Sequence, residues 1–526
     1  MDLSFTPDQA ALREAALRLY GKESHGERVR ELEPAGFDPV LWEAVVGMGL
    51  PTMALPEELG GAGASLTDLA VAVEVHGAHL GLVPLVETAV VARLLGRLGA
   101  PASDVLAQVA EGSAGTLRLA TAPATAFAAV TPVIVALDGA RVVAVAGPST
   151  TTRRTLAGLA VADVSVERAQ VVGEGADAVA SFERALDEWR ALTAVAQAGL
   201  ARTTLDVGLQ YAKDRHQFGV PIGSFQSLQH RFADLHERVD GSRLLAYEAV
   251  WALDEDEPTA RMLATQASWY CGQVADEAAG FSLHVHGGYG FMREYDVQLH
   301  VRRAKATRLL LGDPRQELQL IADRRWGDDA PEPAVVTAAA TARPTRPGMD
   351  FRFDPETEAF RAEVRAFIAE HLTPEIVQRA SATGTMHDWG FHRALCERGY
   401  LASGWPTEFG GLGRSAIDQT LLMQELFAAE APVDGLSIAS MVGATLLVCG
   451  TDVQKADILP RILAGEVMCC LGYSEPDAGS DVAAISTRAV PAGDDSGDWL
   501  INGQKMFTTL AHEAAYAILL TRTDPD

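Results

Sequence analysis

The 526-residue chain is 48% hydrophobic and 21% charged, an ordinary globular composition, and it is too long for a single hydrophobic core. Its formal net charge of −27 excludes a nucleic-acid binder, which needs a basic face to neutralise phosphates. Five cysteines, two of them adjacent at Cys469 and Cys470, show no CxxC or Cys/His ligand spacing; this excludes a disulfide framework and a zinc site and fits a reducing cytoplasm.

Met1 to Glu14 is polar and lacks the basic start and apolar core of a signal peptide. From Pro7 to Gly99 apolar residues recur at helical spacing, as at Leu12, Ala16 and Leu19, then at Leu66, Leu69, Val73 and His76. This predicts an N-terminal helical domain over 1–112. The Val-rich run Ala129 to Val145, with Asp138-Gly139 as a hairpin turn, predicts a small β domain over 113–180. Helical spacing returns from Ser181 to Trp326, in segments as long as Trp189 to Lys213, and predicts a bundle over 181–327. Residues 328–348 are rich in Pro, Ala and Thr, have no hydrophobic period and read as a linker. Two uncharged stretches, Leu119 to Leu137 and Gly435 to Thr451, are interrupted by Pro, Thr, Gly and Ser. They read as buried β sequence and a buried helix, not as membrane spans.

The chain then repeats itself. Met1-Asp-Leu-Ser-Phe-Thr-Pro7 returns as Met349-Asp-Phe-Arg-Phe-Asp-Pro355, and Leu55-Pro-Glu-Glu-Leu-Gly-Gly-Ala-Gly63 returns as Trp405-Pro-Thr-Glu-Phe-Gly-Gly-Leu-Gly413. The offsets, 348 and 350, nearly agree, so two copies of one large domain set run in register. The second copy comprises a helical domain over 349–466 and a β domain over 467–526, with strand-like sequence at Trp499 to Ile501 and Ala517 to Thr521. Met349, directly after the linker, reads as a former start position, as in a gene fusion.

Tyr473-Ser-Glu-Pro-Asp-Ala-Gly-Ser-Asp-Val-Ala-Ala484 resembles the signature of the acyl-CoA dehydrogenase family. Asn502-Gly-Gln-Lys-Met-Phe-Thr-Thr509 resembles that family's second strand motif, which usually carries Trp where Phe507 stands. The resemblance implies a mainly α protein with a small β part: N-terminal helical domain, middle β domain and C-terminal four-helix bundle, repeated as a partial second copy. It also implies FAD, with flavin-side contacts at Tyr473, Ser474, Gly479, Ser480, Phe507, Thr508 and Thr509, and with Ser480 also facing substrate. The residue types suit that chemistry. A glycine at 479 lets backbone approach a cofactor without a Cβ, the hydroxyls of Ser474, Ser480 and Thr509 serve the isoalloxazine edge and pyrophosphate, and Phe507 screens one flavin face.

In the first copy, Arg215-His-Gln-Phe-Gly-Val-Pro-Ile-Gly-Ser-Phe-Gln226 resembles the family's R-x-x-F-G segment, which reaches the ADP half of the cofactor across a subunit interface. His284-Val-His-Gly-Gly-Tyr-Gly-Phe291 resembles its Q-x-x-G-G-x-G-[FY] turn on the same side. The resemblance thus implies cofactor contacts at Arg215, Phe218, Phe225, Gln226, His284, Gly287 and Gly288, with His284 in place of the usual Gln. An Arg suits a pyrophosphate through paired, charge-assisted hydrogen bonds. His284 and His286 have no third ligand at metal spacing, so no metal is expected. The glycines of Gly287 to Gly290 do not have the dinucleotide-fingerprint spacing, and the basic run Arg302 to Arg308 reads as a helix face.

Each copy lacks something. The first has no S-E-P-x-A-G-S-D turn in its β region, Thr116 to Val172, and no catalytic base. Leu311 stands where the family carries its Glu, and Trp189 occupies the alternative Glu position before Arg190. The second copy has the flavin motifs but no bundle. In the mechanism that the resemblance implies, a Glu removes the proton α to the thioester carbonyl while the β-hydride moves to the flavin. No catalytic residue is therefore assigned; the expected Glu lies beyond Asp526, and the chain reads as cut inside its second β domain, where strand edges would otherwise stay open. The implied whole is an FAD-dependent dehydrogenase desaturating an acyl-CoA, bulky or steroid-derived. It has one composite FAD site shared by the first bundle and the second β domain, an electron-transfer flavoprotein as acceptor, and a homo- or hetero-oligomeric assembly. Two alternatives stay open: a non-catalytic assembly partner donating FAD contacts to another subunit, and an acyl-CoA oxidase of the same fold.

Overall fold

The structure, a computed structural model, describes residues 1–119, 122, 124–146, 150–153, 155, 157–165, 169–327, 348–479, 481–493 and 497–524. The chain forms two compact units, Met1–Phe351 and Arg352–Asp526, each with its own hydrophobic core. Nearly all of the expected linker, 328–347, lies outside the described residues. Helices dominate both units and strands are short, which is the mainly α fold with a small β part that the resemblance implies.

The repeated sequence builds the same local structure twice. Thr6 and Asp354 cap the helices Pro7–Glu23 and Pro355–His371 by accepting from the backbone N–H of Gln9 (3.1 Å) and Thr357 (2.9 Å). Both helices start with Pro, whose missing N–H and fixed φ suit a first turn. The Gly-Gly stretches close short turns, Glu57–Leu59 and Thr407–Phe409, with Gly60 and Gly410 at φ 84° and 81°, left-handed values that favour glycine. The second glycine serves close approach: a Cβ on Gly61 or Gly411 would lie 2.1 Å from the carbonyl oxygen of Leu55 or Trp405. Ser65 and Ser415 then cap Leu66–Ala78 and Ala416–Ala428. Asp68 accepts from Gln9 Nε2 (2.9 Å) and Asp418 from Thr357 Oγ1 (3.1 Å), so the capping residues also tie these helices together.

Unit 1 continues into a four-stranded sheet ordered Gly115–Arg118, Val133–Asp138, Arg141–Ala146, Gln170–Glu174, with the first pair parallel and the others antiparallel. The hairpin expected at Asp138-Gly139 is present, Asp138 pairing with Arg141 and Gly139 at φ 58°. The bundle follows as Ala176–Asp214, Gln226–Asp254, Ala260–His286 and Val297–Leu309, with Pro314–Trp326 packed on the third of these. The basic run on Val297–Leu309 is taken up internally: Arg302 pairs with Glu33, Lys305 and Arg308 pair with Asp276, and Arg303 donates to the Gly81 carbonyl (3.0 Å).

Helix Ala176–Asp214 crosses Leu66–Ala78 very closely. A Cβ on Gly77 would stand 1.9 Å from the Ala196 carbonyl oxygen, and one on Gly199 2.1 Å from that of Glu74. Gly77→Ala is therefore expected to push these helices apart and cost about 1–3 kcal/mol. The change should appear as a lower urea midpoint for unit 1 at an unchanged denaturant slope, and an unshifted midpoint would show that the crossing is slack.

In unit 2, Met468–Gly472 pairs in parallel with Ala514–Leu519, and Arg488–Pro491 pairs antiparallel with Trp499–Asn502. The apolar stretch Gly435 to Thr451 forms the helix Asp434–Cys449, but only its first half is buried. Met441, on the outer face of the buried stretch, is 50% exposed, and Val448, past the last buried residue of the helix, is 83% exposed. No helix among the described residues is long and apolar enough to cross a membrane.

Candidate active site

Unit 2 presents its motif residues on a stapled turn. Strand Met468–Gly472 runs out into Tyr473 and Ser474, and the chain closes on itself through Glu475 N–H to the Ala478 carbonyl (2.8 Å) and Ala478 N–H to the Glu475 carbonyl (3.2 Å). The Glu475 side chain, which the sequence reading passed over, holds this turn. It accepts from Ser486 N (2.6 Å), Ser486 Oγ (2.8 Å), Thr487 N (2.9 Å) and Lys505 Nζ (2.8 Å). Burial acts to raise its carboxyl, but Lys505 and the Thr487 and Ser486 donors outweigh that and hold it well below the ordinary carboxylate range. Lys505 also donates to the Tyr473 carbonyl (3.1 Å), and Met506 N–H donates to that of Ser474 (2.9 Å). Residues about thirty positions apart, the two sequence motifs, thus meet. The signal available in the sequence was a charged pair, Glu475 and Lys505, with one member inside each motif.

Around this turn the expected flavin-side residues stay open. Phe507 sits at φ 56° and is 86% exposed, and Tyr473, Gly479 and Thr509 are exposed as well. The hydroxyls of Ser474, Thr508 and Thr509 have no hydrogen-bond partner among the described residues. A Cβ on Gly479 would meet no atom within 4 Å, so its face opens onto space that the protein does not fill. Ser480 lies outside the described residues. Free hydroxyls, an open glycine face and an uncovered aromatic ring fit a flat, polar-edged cofactor.

Unit 1 gathers its own set at the ends of long helices. Helix Ala176–Asp214 stops at Arg215, and a two-residue hairpin, His216–Gln217 with Val220–Pro221, carries Phe218 at its tip. Phe218 has φ 55°, is 94% exposed and meets Phe225 edge-on with ring centres 6.1 Å apart. Gln226 opens the next helix and is exposed. Helix Ala260–His286 ends with exposed His284, and Gly287 turns the chain at φ 59° into Gly287–Phe291. Cβ atoms on Gly287 and Gly288 would point into open space. The Arg215 guanidinium lies 5.7 Å from the Tyr289 ring centre and makes no hydrogen bond among the described residues. Arg215 and the Gly287–Phe291 turn, far apart in sequence, are thereby brought together. Tyr289, absent from the expected contacts, joins them, while His286 is buried, donates from Nδ1 to the Ser282 carbonyl (2.7 Å) and stacks on Tyr211 at 4.0 Å. Among the described residues no group of three His, Cys, Asp or Glu could hold a metal ion.

The positions examined for a base are apolar and enclosed: Trp189 is buried inside Ala176–Asp214, and Leu311 belongs to the unit 1 core. Two carboxylates beside Trp189 are fully buried but committed. Asp187 accepts from Arg190 (2.9 Å), Arg261 (3.2 Å) and Arg324 (2.7 Å). Glu188 accepts from Arg93 (3.0 and 3.2 Å) and Arg97 (2.7 and 3.3 Å). Both are buried and held by guanidinium groups.

Comparison with known proteins gives a consistent picture. The family model described as Acyl-CoA dehydrogenase, N-terminal domain matches residues 6–113 and again 354–466; the C-terminal domain model matches 176–325 and the middle domain model 470–526. The acyl-CoA dehydrogenase FadE34 of Mycobacterium tuberculosis is 32% identical over 501 residues, which cover 92% of this chain and 65% of that protein. The chain thus spans just under two thirds of that relative's length. The acyl-CoA dehydrogenase IpdE2 of the same bacterium is 30% identical over 323 residues, 61% of this chain and 98% of that one. Among solved structures, a variant of the steroid ACAD Tcur3481-Tcur3483 aligns with a TM-score of 0.54 at 28% identity, covering 60% of this chain and 97% of that one.

Proposed function

The chain belongs to the acyl-CoA dehydrogenase family, and from that membership we propose that it is part of an FAD-dependent dehydrogenase that introduces an α,β double bond into an acyl-CoA thioester. The observation that carries this reading is the unit 2 turn, where two motifs joined through Glu475 and Lys505 carry three free hydroxyls, exposed Phe507 and the open face of Gly479. FAD, when bound, supplies the acceptor for the β-hydrogen. Ser474, Thr508 and Thr509 hydrogen-bond its polar edge, Phe507 keeps water from one face, and Glu475 with Lys505 keeps the turn rigid enough to do so. On unit 1, Arg215 pairs with the pyrophosphate, and Phe218 and Phe225 pack on the adenosine half. The steroid named for the Tcur3481-Tcur3483 relative makes a bulky, steroid-derived thioester the favoured substrate. An electron-transfer flavoprotein in the cytoplasm takes the electrons, and the working assembly is oligomeric.

The proton α to the thioester has no acceptor in this reading of unit 1, where Leu311 and Trp189 are apolar and Asp187 and Glu188 are saturated by arginines. We assign it to a Glu that is not among the residues of this chain. The same observation favours a second reading, a non-catalytic assembly partner that lends FAD contacts to another polypeptide. Purified chain is expected to carry one FAD per polypeptide by absorbance, and anaerobic acyl-CoA should bleach its visible band about 10²–10⁴-fold more slowly than in a base-containing relative. Two FAD per chain would overturn the shared site, absence of flavin would favour the assembly partner, and rapid reoxidation by air would indicate an oxidase.

A further inference from the structure

Unit 1 holds a small, partly open cavity, mainly apolar with a few polar groups, that the flavin reading does not use. Helices Leu66–Ala78, Leu85–Leu98, Ala176–Asp214 and Val297–Leu309 meet around it, and its volume is about 50 Å³. At roughly 10–15 Å³ per water, that is room for about four waters or one acetate-sized molecule. Its polar lining comes from His76, Glu87, Thr193, Gln197, Arg303 and Thr307.

Several of these groups are short of partners. Arg303 is partly exposed, but its Nε is buried and its N–H unpaired, while Nη1 donates to the Gly81 carbonyl (3.0 Å). Gln197 leaves Oε1 unpaired. Glu87 is buried and lines the same cavity as Arg303, yet the two form no ion pair. An unpaired charged donor in a low-dielectric interior is costly, and a guest that accepts from it removes the cost. The wall is also strained: Phe127 lines it at φ 54°, and Leu80, next to lining Gly81, stands at φ 56°. Such left-handed non-glycine residues gather at ligand sites.

We propose that this cavity is a binding site for a small monocarboxylate, of acetate or propionate size, with one oxygen accepting from Arg303 and the other sharing a proton with Glu87. The guest accepts from the Arg303 Nε–H, which Glu33 and Glu87 attract without bonding, and the Glu87 carboxyl in its acid form supplies the donor for the second oxygen. Burial, set against weaker pulls from Trp189 and Arg303, pushes the Glu87 carboxyl up to about 7. The groups facing it are Arg303 from Val297–Leu309, neutral His76 from Leu66–Ala78, and uncharged Trp189, Thr193 and Gln197 from Ala176–Asp214. His76 is pushed down to about 3 by burial, Arg303 and His79. Binding therefore takes up one proton and weakens as pH rises through the Glu87 value, by about tenfold per unit above it.

Calorimetric titration of the full chain with sodium acetate and propionate tests this. Saturable binding is expected at about pH 6 and binding about tenfold weaker at about pH 8. Glu87→Gln should bind at both pH values without the pH dependence, and Arg303→Gln should lose binding. No saturable binding at the lower pH, equal binding of chloride, or retention in Arg303→Gln would each overturn the proposal. The pH series on the unaltered chain and the near-isosteric Glu87→Gln variant keep the test decisive should Arg303→Gln fail to fold.

Discussion

Glu188→Ala is expected to destabilise unit 1 by about 3–5 kcal/mol, the range for removing one member of a buried ion network. Glu188 is fully buried, and its two oxygens accept four hydrogen bonds from Arg93 and Arg97, with Arg184 Nε 3.7 Å away. These partners come from two elements, Leu85–Leu98 and Ala176–Asp214, so the carboxylate pins the helical domain to the bundle. Without it, three guanidinium groups face one another with too little negative charge between them. Burial acts to raise the Glu188 carboxyl, but Arg97 and Arg93 outweigh that and hold it below its ordinary value. A carboxylate depressed in the folded state contributes stability that is present above its unfolded pKa and is lost as pH falls through the folded value. The gap between the wild-type and variant urea midpoints should therefore be full at neutral pH and narrow below about pH 4. A variant within about 0.5 kcal/mol of wild type at neutral pH would show that the arginines relax to other partners.

Arg215→Ala is expected to weaken FAD binding by about 10–100-fold, the loss of a charge-assisted pair worth about 1.5–3 kcal/mol. Its effect on folding should be negligible. The Arg215 side chain is exposed, makes no hydrogen bond among the described residues and lies over the face of Tyr289. Equilibrium titration with FAD, followed by flavin fluorescence, separates the two effects, since the melting transition without FAD should not move. Arg215→Lys should restore the charge but not the forked geometry, and so recover only part of the affinity. Unchanged flavin occupancy in Arg215→Ala would sink the shared-FAD reading while leaving the family membership intact.

Short local motifs carried the expectations for the candidate site. The stretch from Arg215 to Gln226 and the turn at Gly287 could be read because each is one short segment whose glycines and aromatics are set by local geometry. What joins them could not. Tyr289 reaches Arg215 only because two helices, Ala176–Asp214 and Ala260–His286, end at the same place. Glu475 was passed over for the same reason: its four donors come from positions eleven to thirty residues away, and no local pattern marks them as neighbours.

By itself, the sequence determined the repeat and the family, because caps, left-handed glycines and hairpin turns are specified by residues within a few positions of one another. It also determined that no free catalytic carboxylate stands at Trp189 or Leu311, since residue identity alone settles that. Only the tertiary structure decided where buried charge is satisfied. Glu188 and Asp187 are saturated by arginines drawn from four helices, whereas Glu87 and Arg303 line one cavity without touching. Charge in a low-dielectric interior is governed by distances of a few ångströms, and those distances exist only once the helices have packed.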